Sequence, residues 1–467
     1  MNRDLLADRL RPYSQDHALR WWSELNTERQ RELAAQLEAL DLDWLRRQQN
    51  PAPGQTEEPA AEKAQRARPP SDLVRLPASA ADREAWAQAR ETGRELLKAG
   101  RVGAILVAGG EATRLGYEYP KGMYPIGVVS NKTLFELLAE QLRARATRAG
   151  AAIPSYVMTS SATHNRTVAY FGERQFLGLD PTDVHFFRQG NLPAVDLSTG
   201  KLLLAEKHQL ALNPDGHGGL LAALSGAGLL EDMRRRGVDY LFYFQVDNPL
   251  VKVCDPAFLG FHALRESEVS TKVVAKLSAE EKMGVAVEVD GRTQIIEYSD
   301  LPAEVSRERD ERGGLKFWAG STAIHVFSRS FLERLERERI ELPVHRAVKK
   351  VPHLDEAGRR VTPETENAVK YERFIFDVLP LAERALVVEA SRNEEFCPLK
   401  NKTGDFSPPH VQQSLSTLHG NWLRSAGITV APGLPVEIAP LYALDADELA
   451  ARVDRSLICG GPVHLEG

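Results

Sequence analysis

Residues 106–127 read LVAGGEATRLGYEYPKGMYPIG, an apolar segment that passes into two glycines and then meets one arginine and one lysine. The apolar segment begins upstream as VGAILVA, residues 102–108, and this composition is typical of a buried strand. Glycine lets a ligand approach the backbone closely, and Arg114 and Lys121 would attract an anion. The stretch therefore predicts a buried strand followed by an anion-binding loop.

Strand-like and helix-like segments alternate after this loop. SYVMTS (155–160) and DYLFYFQVD (239–247) are typical of buried strands, whereas TLFELLAEQLRARATRAG (133–150) and LLAALSGAGLLEDMRRRG (220–237) are typical of helices. GVAVEVDGRTQIIEYS (284–299) differs, because its Asp290-Gly291 pair predicts a β-hairpin. The order predicts an α/β fold with a mixed, mostly parallel sheet flanked by helices, in which ligands bind at the carboxyl ends of strands.

The two ends of the chain depart from this alternation. Residues 1–95 predict a helical N-terminal segment, with Thr27 and Gln30 as a capping box, and then an extended connector from Asn50 to Pro77 that contains six prolines. Residues 96–400 predict the α/β domain. Residues 401–467 predict a small β-rich C-terminal subdomain that includes one helix, 414–426.

The composition limits the class of protein. The 467 residues carry a formal net charge of -6, so a general nucleic-acid-binding protein is not expected. The three cysteines, Cys254, Cys397 and Cys459, form no CxxC pair, so neither a disulfide framework nor a zinc site is expected. Asp4 and Asp8 lie where a signal peptide would be apolar, and no run of about 18 apolar residues occurs. These features predict a soluble cytoplasmic protein that does not bind membranes.

Three kinds of anion site compete for the glycine loop. A dinucleotide-binding loop would need G-x-G-x-x-G and a carboxylate about 20 residues later, but here the spacing is G-G-x-x-x-x-x-G and the next strand ends in TSS (159–161). A P-loop would need Ser or Thr after its lysine, whereas a glycine follows Lys121. A nucleotidyltransferase loop fits best, because its two glycines meet the nucleotide through their backbone and the basic residues beyond them hold the phosphates. A turn without a ligand is less favoured, since Arg114 and Lys121 follow the glycines at short intervals.

The loop closely resembles the signature L-x-x-G-G-x-G-T-x-L-G-x-x-x-P-K-G of the eukaryotic-type UDP-N-acetylhexosamine pyrophosphorylases, within the UDP-sugar pyrophosphorylase superfamily. The resemblance continues in the same order in FFRQGNLPA (186–194), NPDGHGGL (213–220), VDNPLVKVCDP (246–256), GVAVEVDGRTQIIEYS, AVKKVPHLDEAG (347–358), NAVKYERFIFD (367–377) and EEFCPLKN (394–401). It implies a Rossmann-like nucleotidyltransferase core, here residues 96–400, that makes UDP-sugar and pyrophosphate from UTP and a sugar 1-phosphate with Mg²⁺. It leaves the oligomeric state open.

The resemblance also implies roles for individual residues. The cations that would neutralise the phosphates in catalysis are Arg114, Lys121, Lys370 and Lys400. The residues that would bind the nucleotide are Ala108, Gly109, Gly110, Gln189, whose amide would read the uracil edge, and Gly216. The residues that would bind the sugar are His217, Gly284, Glu297, Tyr298 and Ser321. Asp247 would associate with Mg²⁺, and the alternative for this residue is a helix N-cap.

Four positions depart from the family pattern, among them Trp318, where the family has asparagine. Ala112 replaces the third glycine of the signature, which indicates that this position needs no positive φ. His217 replaces an asparagine and is either a sugar contact or a solvated side chain, and Ser321 in WAGS (318–321) replaces the last asparagine of NAGN. We expect N-acetylglucosamine 1-phosphate, or N-acetylgalactosamine 1-phosphate, as the sugar substrate.

The alternatives within the class are a glucose, galactose or broad-specificity enzyme. A non-catalytic nucleotide-binding protein is the alternative of another class, and the retained glycines and cations oppose it. A dehydrogenase is disfavoured, because the acid that would bind the ribose is missing.

Overall fold

The computed structural model describes residues 2–49, 60–457 and 459–467 of the chain. The larger of two compact units takes its residues from Ala60–Gln189, Leu220–Glu341 and Phe376–Gly467. The smaller unit takes its residues from Met1–Pro59, Gly190–Gly219 and Leu342–Ile375. The units are interleaved along the chain, whereas the boundaries expected from the sequence, 1–95, 96–400 and 401–467, are consecutive. Those three domains stay a prediction.

The larger unit contains, in its described residues, a sheet of ten strands. They are β1 (Leu73–Val74), β2 (Val102–Val107), β3 (Ser155–Thr159), β4 (Val184–Arg188), β5 (Tyr240–Gln245), β6 (Val269–Ala275), β7 (Val285–Val289), β8 (Arg292–Ile296), β9 (Ala319–Ser328) and β10 (Ala385–Glu389). Along the sheet the order is β1-β10-β6-β9-β5-β2-β3-β4, and the β7-β8 hairpin joins β9 through Val285 and Gly320.

The direction of the strands confirms the predicted mixed, mostly parallel sheet. Every pair along this order is parallel except the two pairs made by β9, which runs antiparallel to β5 and to β6. All of β3 is buried, and β2 is buried except for the partly exposed Val107. Burial on both faces of the sheet explains why these strands read as continuous apolar segments.

The helices of the larger unit connect and cover these strands. Their bounds are Ala60–Arg66, Ala80–Lys98, Leu134–Ala149, His164–Glu173, Leu220–Gly226, Leu229–Arg235, Pro256–Leu264, Ala303–Ser306, Arg329–Arg337, Arg392–Glu395, Pro408–Ser425 and Ala446–Arg452. Helix Leu134–Ala149 begins at a capping box made by Thr133 and Glu136, and it ends at Gly150 with a φ of 66°. None of the helices in the described residues is both long and apolar enough to span a membrane.

Glycine residues decide the outcome of two local predictions in the larger unit. The segment 220–237 forms two helices rather than one, because Gly228 interrupts it with a φ of 68°. The predicted hairpin is confirmed: Asp290 and Gly291 have φ values of 51° and 77°, as a tight two-residue turn requires, and they join β7 to β8.

The smaller unit combines N-terminal helices with short strands. Its α-helices are Arg3–Leu10, Thr27–Ala39 and Leu42–Gln49. Its strand pairs are His345–Lys349 with Ala368–Glu372, Ala368–Glu372 with Val195–Asp196, Asn191–Pro193 with Leu212–Pro214, Leu204–Glu206 with Gln209–Leu210, and His353–Leu354 with Arg360–Val361. Leu33, Leu37, Trp44 and Tyr371 share its hydrophobic core, and the rings of Trp44 and Tyr371 lie 5.4 Å apart. The N-terminal helices thus pack on strands from much later in the chain.

Short 3₁₀ helices complete the described elements. They are Arg11–Tyr13, Asp16–Leu19, Trp22–Glu24, Thr113–Leu115, Lys121–Met123, Gln175–Gly178, Pro181–Asp183, His217–Gly219 and Ile375–Leu381.

The predicted capping box at Thr27 is wrong. The helix begins at Thr27, so the N-cap is the preceding residue, Asn26, whose side chain accepts a hydrogen bond from the Arg29 N–H at 2.9 Å. Asparagine is among the preferred N-cap residues because its side-chain oxygen satisfies an amide of the first turn.

The predicted extended connector is wrong for residues 60–66, and its residues 50–59 lie outside the described part of the chain. Ala60–Arg66 is a helix, and Ala64 and Ala67 are buried in one cluster with residues of the β7-β8 hairpin. Arg68 then pairs with Glu288 on the edge of that hairpin, and Leu73–Val74 forms strand β1. A tertiary partner therefore orders a segment whose composition favours an extended chain.

The C-terminal part contains more helix than the sequence predicts. Its long helix begins at Pro408 rather than at 414, with two prolines in the first turn, where no intrahelical donor is needed. A further helix, Ala446–Arg452, was not predicted. The β-like segment VEIAPLYAL contributes only the strand Val436–Ile438, which pairs in parallel with Val463–Leu465.

Candidate functional site

The glycine loop begins where β2 ends. The N–H of Ala108 donates to the carbonyl of Met158 at 2.7 Å, so the chain is still paired with β3 when it enters the loop. Gly109 then faces Gln189, because a Cβ placed on Gly109 would lie 2.3 Å from Gln189 Oε1. Gln189 is buried and directly follows β4. Predicted nucleotide-binding residues from two strands therefore meet at the carboxyl edge of the sheet.

Gly110 has different surroundings. No atom lies within 4 Å of the position that a Cβ on Gly110 would take, and its φ is outside the left-handed region. The packing of the protein therefore does not require glycine at this position, and the open space leaves the backbone accessible to a ligand.

The loop returns to Gly110 at Lys121. The Gly110 carbonyl accepts a hydrogen bond from the Lys121 N–H at 3.1 Å. Between them, the short helix Thr113–Leu115 exposes the side chain of Arg114 to solvent. Ala112 has a φ of -96°, so the interpretation that this position needs no positive φ is confirmed.

Asp247 lies just beyond the end of β5, beside the glycine loop. Its Oδ2 is 3.4 Å from Lys121 Nζ, and the two side chains are only 13% and 18% exposed. Asp247 caps no helix among the described elements, because the N-cap of the next helix, Pro256–Leu264, is Asp255. The helix-cap alternative for Asp247 is therefore excluded, and its carboxylate is paired with a cation at the edge of the sheet.

Lys400 is held next to Asp247 through the backbone. The N–H of Leu399 donates to the carbonyl of Asp247 at 2.7 Å, and the N–H of Lys400 donates to the carbonyl of Phe406 at 2.9 Å. The side chain of Lys400 is exposed, and within the described residues it makes no hydrogen bond or ion pair. The same holds for Arg114. These two cations are available to an anionic ligand.

Lys402 is a cation that the sequence analysis missed. Its Nζ lies 3.7 Å from the position that a Cβ on Gly116 would take, so it reaches the turn that carries Arg114. No carboxylate pairs with Lys402 in the part of the chain that the structure describes. The pattern KNK (400–402) could have indicated that Lys402 accompanies Lys400, because alternate residues of an extended segment point to the same side.

Three predicted sugar-binding residues meet around Gly284. A Cβ on Gly284 would lie 3.0 Å from Glu297 Oε1, and the Gly284 carbonyl accepts a hydrogen bond from the Ser321 N–H at 2.8 Å. Tyr298 follows Glu297 and is 47% exposed, so its ring is not packed inside the hairpin. These residues form a second group in the larger unit, at the end of β8 and the start of β9.

The remaining predicted residues, Gly216, His217 and Lys370, lie in the smaller unit. Gly216 has a φ of 82°, and a Cβ there would lie 2.3 Å from the carbonyl oxygen of Arg373. His217 Nδ1 accepts a hydrogen bond from the N–H of Ile375 at 3.0 Å, and burial lowers the pKa of His217 to about 4, so the ring is neutral with its proton on Nε2. Burial also lowers the pKa of Lys370. Because Arg373 directly follows the strand that carries Lys370, the three residues lie near one end of that strand, and His217 is not simply a solvated side chain.

Comparisons with known proteins identify the family of the chain. The family model described as UTP–glucose-1-phosphate uridylyltransferase matches residues 61–425. A human protein named UDP-N-acetylhexosamine pyrophosphorylase-like protein 1 is 41% identical over 432 residues, which cover 90% of this chain and 85% of the human protein. A Saccharomyces cerevisiae protein named UDP-N-acetylglucosamine pyrophosphorylase is 37% identical over 368 residues, which cover 77% of each chain.

Solved structures extend the agreement to the fold. The uridine diphosphate N-acetylglucosamine pyrophosphorylase from Trypanosoma brucei, crystallised in complex with an inhibitor, matches with a TM-score of 0.84 and 26% identity over 100% of this chain and 99% of the other. The resemblance and the fold class predicted from the sequence are thereby confirmed. This chain belongs to the UTP–glucose-1-phosphate uridylyltransferase family.

Proposed function

We propose that this chain transfers the uridylyl group of UTP to N-acetylglucosamine 1-phosphate and releases pyrophosphate. Membership of the family supports the reaction class, uridylyl transfer to a sugar 1-phosphate. The names of the yeast and trypanosomal relatives support the N-acetylated sugar. The observation that carries the proposal concerns the basic side chains of Arg114 and Lys400, which make no hydrogen bond or ion pair with other described residues. Arg114 lies in the glycine loop that begins with the open backbone of Gly110, and Lys400 directly follows Leu399, which is bonded to the Asp247 of the Lys121–Asp247 pair.

The chemistry explains why cations rather than a base are needed. An oxygen of the sugar 1-phosphate attacks the α-phosphorus of UTP, and the bond from that phosphorus to the bridging oxygen of pyrophosphate breaks. A phosphate monoester is already a nucleophile, so no side chain has to remove a proton. The barrier arises from bringing a dianion close to a tetraanion, and catalysis consists of positioning and charge neutralisation. Loss of one such contact would cost about 3–4 kcal/mol, or about 10²–10³ in rate.

The nucleotide is proposed to bind along the glycine loop. Gly109 and Gly110 would contact it through their backbone, and Gln189, held against Gly109, would read the uracil edge because an amide both donates and accepts hydrogen bonds. Arg114 and Lys121 would then flank the β- and γ-phosphates that leave as pyrophosphate. Ala108 takes part only through its backbone, since its side chain is buried.

Asp247 is proposed to associate with Mg²⁺. No cluster of three His, Cys, Asp or Glu side chains that could hold a metal occurs in residues 2–49, 60–457 and 459–467, so an ion at Asp247 would have at most two such ligands from the described residues. That donor set fits Mg²⁺, which proteins commonly hold through one or two carboxylates together with substrate phosphates and water. When bound, the ion would supply neutralisation of phosphate oxygens. Lys121, 3.4 Å from the carboxylate, orients Asp247 toward the glycine loop.

The sugar is proposed to bind at the group around Gly284. Glu297 would accept hydrogen bonds from sugar hydroxyls, because an ionised carboxylate only accepts. Tyr298 would offer its exposed ring beside that carboxylate. Ser321 is shorter than asparagine, and its Oγ already accepts a hydrogen bond from the Ala323 N–H at 3.3 Å. This departure favours a second candidate, a glucose 1-phosphate or broad-specificity enzyme.

The residues of the smaller unit are proposed to add three contacts. Gly216 would approach the base, His217 would touch the sugar, and Lys370 would contact the sugar phosphate. Lys370 makes no hydrogen bond or ion pair with other described residues, so its charge is available to a phosphate. UTP and the sugar 1-phosphate are then the substrates of this chain, and a cytoplasmic location stays a prediction.

A pyrophosphate-release assay tests the proposal. The protein is incubated with UTP, Mg²⁺ and, in turn, the 1-phosphates of N-acetylglucosamine, N-acetylgalactosamine, glucose and galactose. Release confined to the N-acetylated sugars supports the first candidate, whereas release confined to glucose 1-phosphate overturns it in favour of the second. Tight UTP binding without release from any sugar would identify a non-catalytic nucleotide-binding protein. Omitting Mg²⁺ and adding a chelator is the control for the metal.

A further inference from the structure

Asn248 connects the end of β5 to the segment that leads to Lys400. Its Nδ2 donates to the carbonyl of Glu395 at 2.7 Å, and its Oδ1 accepts from the N–H of Cys397 at 3.1 Å. The carbonyl of the preceding residue, Asp247, accepts from the N–H of Leu399 at 2.7 Å. Three hydrogen bonds thus fix alternate residues, 395, 397 and 399, of the chain that leaves the helix Arg392–Glu395, and we call this part the 395–400 segment. Asn248 is 4% exposed, so water does not compete for these bonds.

The start of the 395–400 segment is fixed by a second, independent contact. The carboxylate of Glu395 forms an ion pair with Lys272 on β6, and Asp255 lies 2.6 Å from the same ammonium group. Lys272 is 2% exposed. Burial alone would lower the pKa of Lys272, but the two carboxylates outweigh it and raise the pKa. The ion pair therefore stays charged and ties the segment to the central sheet.

The far end of the segment carries Lys400. The Lys400 N–H donates to the carbonyl of Phe406, but the Lys400 side chain makes no contact that would orient it in the described part of the chain. The course of the backbone through the 395–400 segment therefore decides where the Lys400 side chain begins, one residue beyond the hydrogen bond between Leu399 and Asp247. We propose that Asn248 is a positioning residue for uridylyl transfer, because its side-chain amide holds this segment so that Lys400 faces the Asp247 edge of the site. The inference rests on the proposed function, in which Lys400 contacts the α-phosphate.

Asn248 acts through Lys400 and does not contact the substrate itself. Its oxygen and its amide nitrogen are both hydrogen-bonded to the backbone of the 395–400 segment, and the side chain is buried. Replacing it by alanine removes two of the three bonds that hold the segment and leaves the backbone bond between Asp247 and Leu399. A shift of about 1 Å in a catalytic group costs about 10²-fold in rate.

A double-mutant cycle tests the positioning role. The kcat of pyrophosphate release and the KM for UTP are measured for Asn248→Ala, Lys400→Ala and the double variant. We expect Asn248→Ala to lower kcat about 10²-fold with the KM for UTP within about threefold of wild type. The double variant should be no slower than Lys400→Ala within about twofold, because a residue that acts only through Lys400 loses its effect once that lysine is gone.

The matched control is Asn393→Ala. Asn393 lies just before the 395–400 segment, is exposed, and makes no side-chain hydrogen bond with other described residues, so its replacement should leave kcat unchanged. Far-ultraviolet circular dichroism and thermal unfolding check that each variant folds. If Asn248→Ala does not fold, Asn248→Ser replaces it in the cycle, because the smaller change leaves a hydroxyl group that can hydrogen-bond at the same position.

The outcomes separate this inference from the proposed function. A folded Asn248 variant with wild-type kcat, or a double variant whose loss equals the product of the two single losses, would overturn the positioning role while the wild type remains an active enzyme. A wild-type protein that releases no pyrophosphate from any sugar 1-phosphate would overturn the proposed function, and the positioning role with it. If replacing Asn248 lowers kcat when Lys400 is present but not when Lys400 has been replaced by alanine, the inference is supported.

Discussion

Replacing Gly110 by alanine should preserve the fold and impair the use of UTP. The added methyl group meets no protein atom within 4 Å, and the backbone of Gly110 is outside the left-handed region that disfavours alanine. The methyl group would instead enter the space in which we propose that the nucleotide contacts the backbone.

The expected changes in stability and in affinity for UTP follow from two opposite effects of the same methyl group. In the free protein, alanine at a compatible backbone conformation stabilises the fold by about 0.4–1 kcal/mol, because it restricts the unfolded chain. In the complex, an extra methyl group in a fitted contact costs about 1–3 kcal/mol, which weakens UTP binding by about 5- to 150-fold. Stability and affinity should therefore change in opposite directions.

Gly109→Ala is the matched comparison. Its methyl group would lie 2.3 Å from Gln189 Oε1 and 3.4 Å from the backbone nitrogen of Ser160, so the buried glutamine would have to move. We expect this variant to lose stability as well as affinity for UTP.

Thermal unfolding of the free variants and calorimetric titration with UTP measure the two quantities separately. A Gly110→Ala protein that binds UTP as tightly as wild type would refute the placement of the nucleotide against Gly110. A Gly110→Ala protein that unfolds at a clearly lower temperature would refute the argument that its surroundings are open.

Three further predictions concern cations and a buried histidine. Lys402→Ala should raise the KM for pyrophosphate in the reverse reaction about 3- to 10-fold without changing the unfolding temperature, as expected for one exposed ionic contact of about 1 kcal/mol; an unchanged KM would contradict it. Lys272→Met should lower the free energy of unfolding by about 3–5 kcal/mol, because Asp255 and Glu395 lose a buried counter-ion and Glu395 keeps, among the described cations, only Lys252, 3.6 Å away; a denaturant titration showing a loss below about 1 kcal/mol would argue against it. Burial lowers the pKa of His262 to about 3 in the folded protein. Below about pH 6.5 the unfolded chain therefore binds a proton on His262 that the folded protein does not bind, and the free energy of unfolding of the wild type falls with pH. The loss is about 2 kcal/mol between pH 6.5 and pH 5. His262→Gln should lose that part of the pH dependence in denaturant titrations at the two pH values, and an unaltered dependence would rule the assignment out.

The elements around the nucleotide loop could be predicted from the sequence because their signals are local. Strands β2, β3 and β5 are buried on both faces, so each is a continuous apolar segment that needs no knowledge of its partners. The Asp290-Gly291 turn is equally local, because it depends on the φ values that these two residues adopt. Lys121 was selected from its place after the glycines, whereas Lys370 and Lys400 were proposed through the family resemblance alone, since a lysine in an unknown loop carries no signal of its own.

The features that were missed depend on partners far away in the chain. The helix Ala60–Arg66 is ordered by burial of Ala64 and Ala67 with the β7-β8 hairpin, more than 200 residues later. Asn248 bonds to a segment 147 residues away, so neither its burial nor its role can be inferred from its neighbours in sequence. Composition describes what a segment prefers in isolation, and in both cases a distant contact decides otherwise.

Strand β9 runs antiparallel to both of its neighbours in the sheet, and this direction affects how substrate preference can change in this fold. In the antiparallel register of β9 with β5, Tyr240 lies opposite Ser328 and Tyr243 lies opposite His325. The start of β9, rather than its end, therefore lies at the edge where β2 and β5 end. The long connection that precedes β9, residues 297–318, therefore ends at the edge of the sheet that carries the glycine loop. Insertions, deletions and exchanges in that connection can retune which sugar is accepted while the strands beneath keep their packing, so selectivity and stability are free to evolve separately.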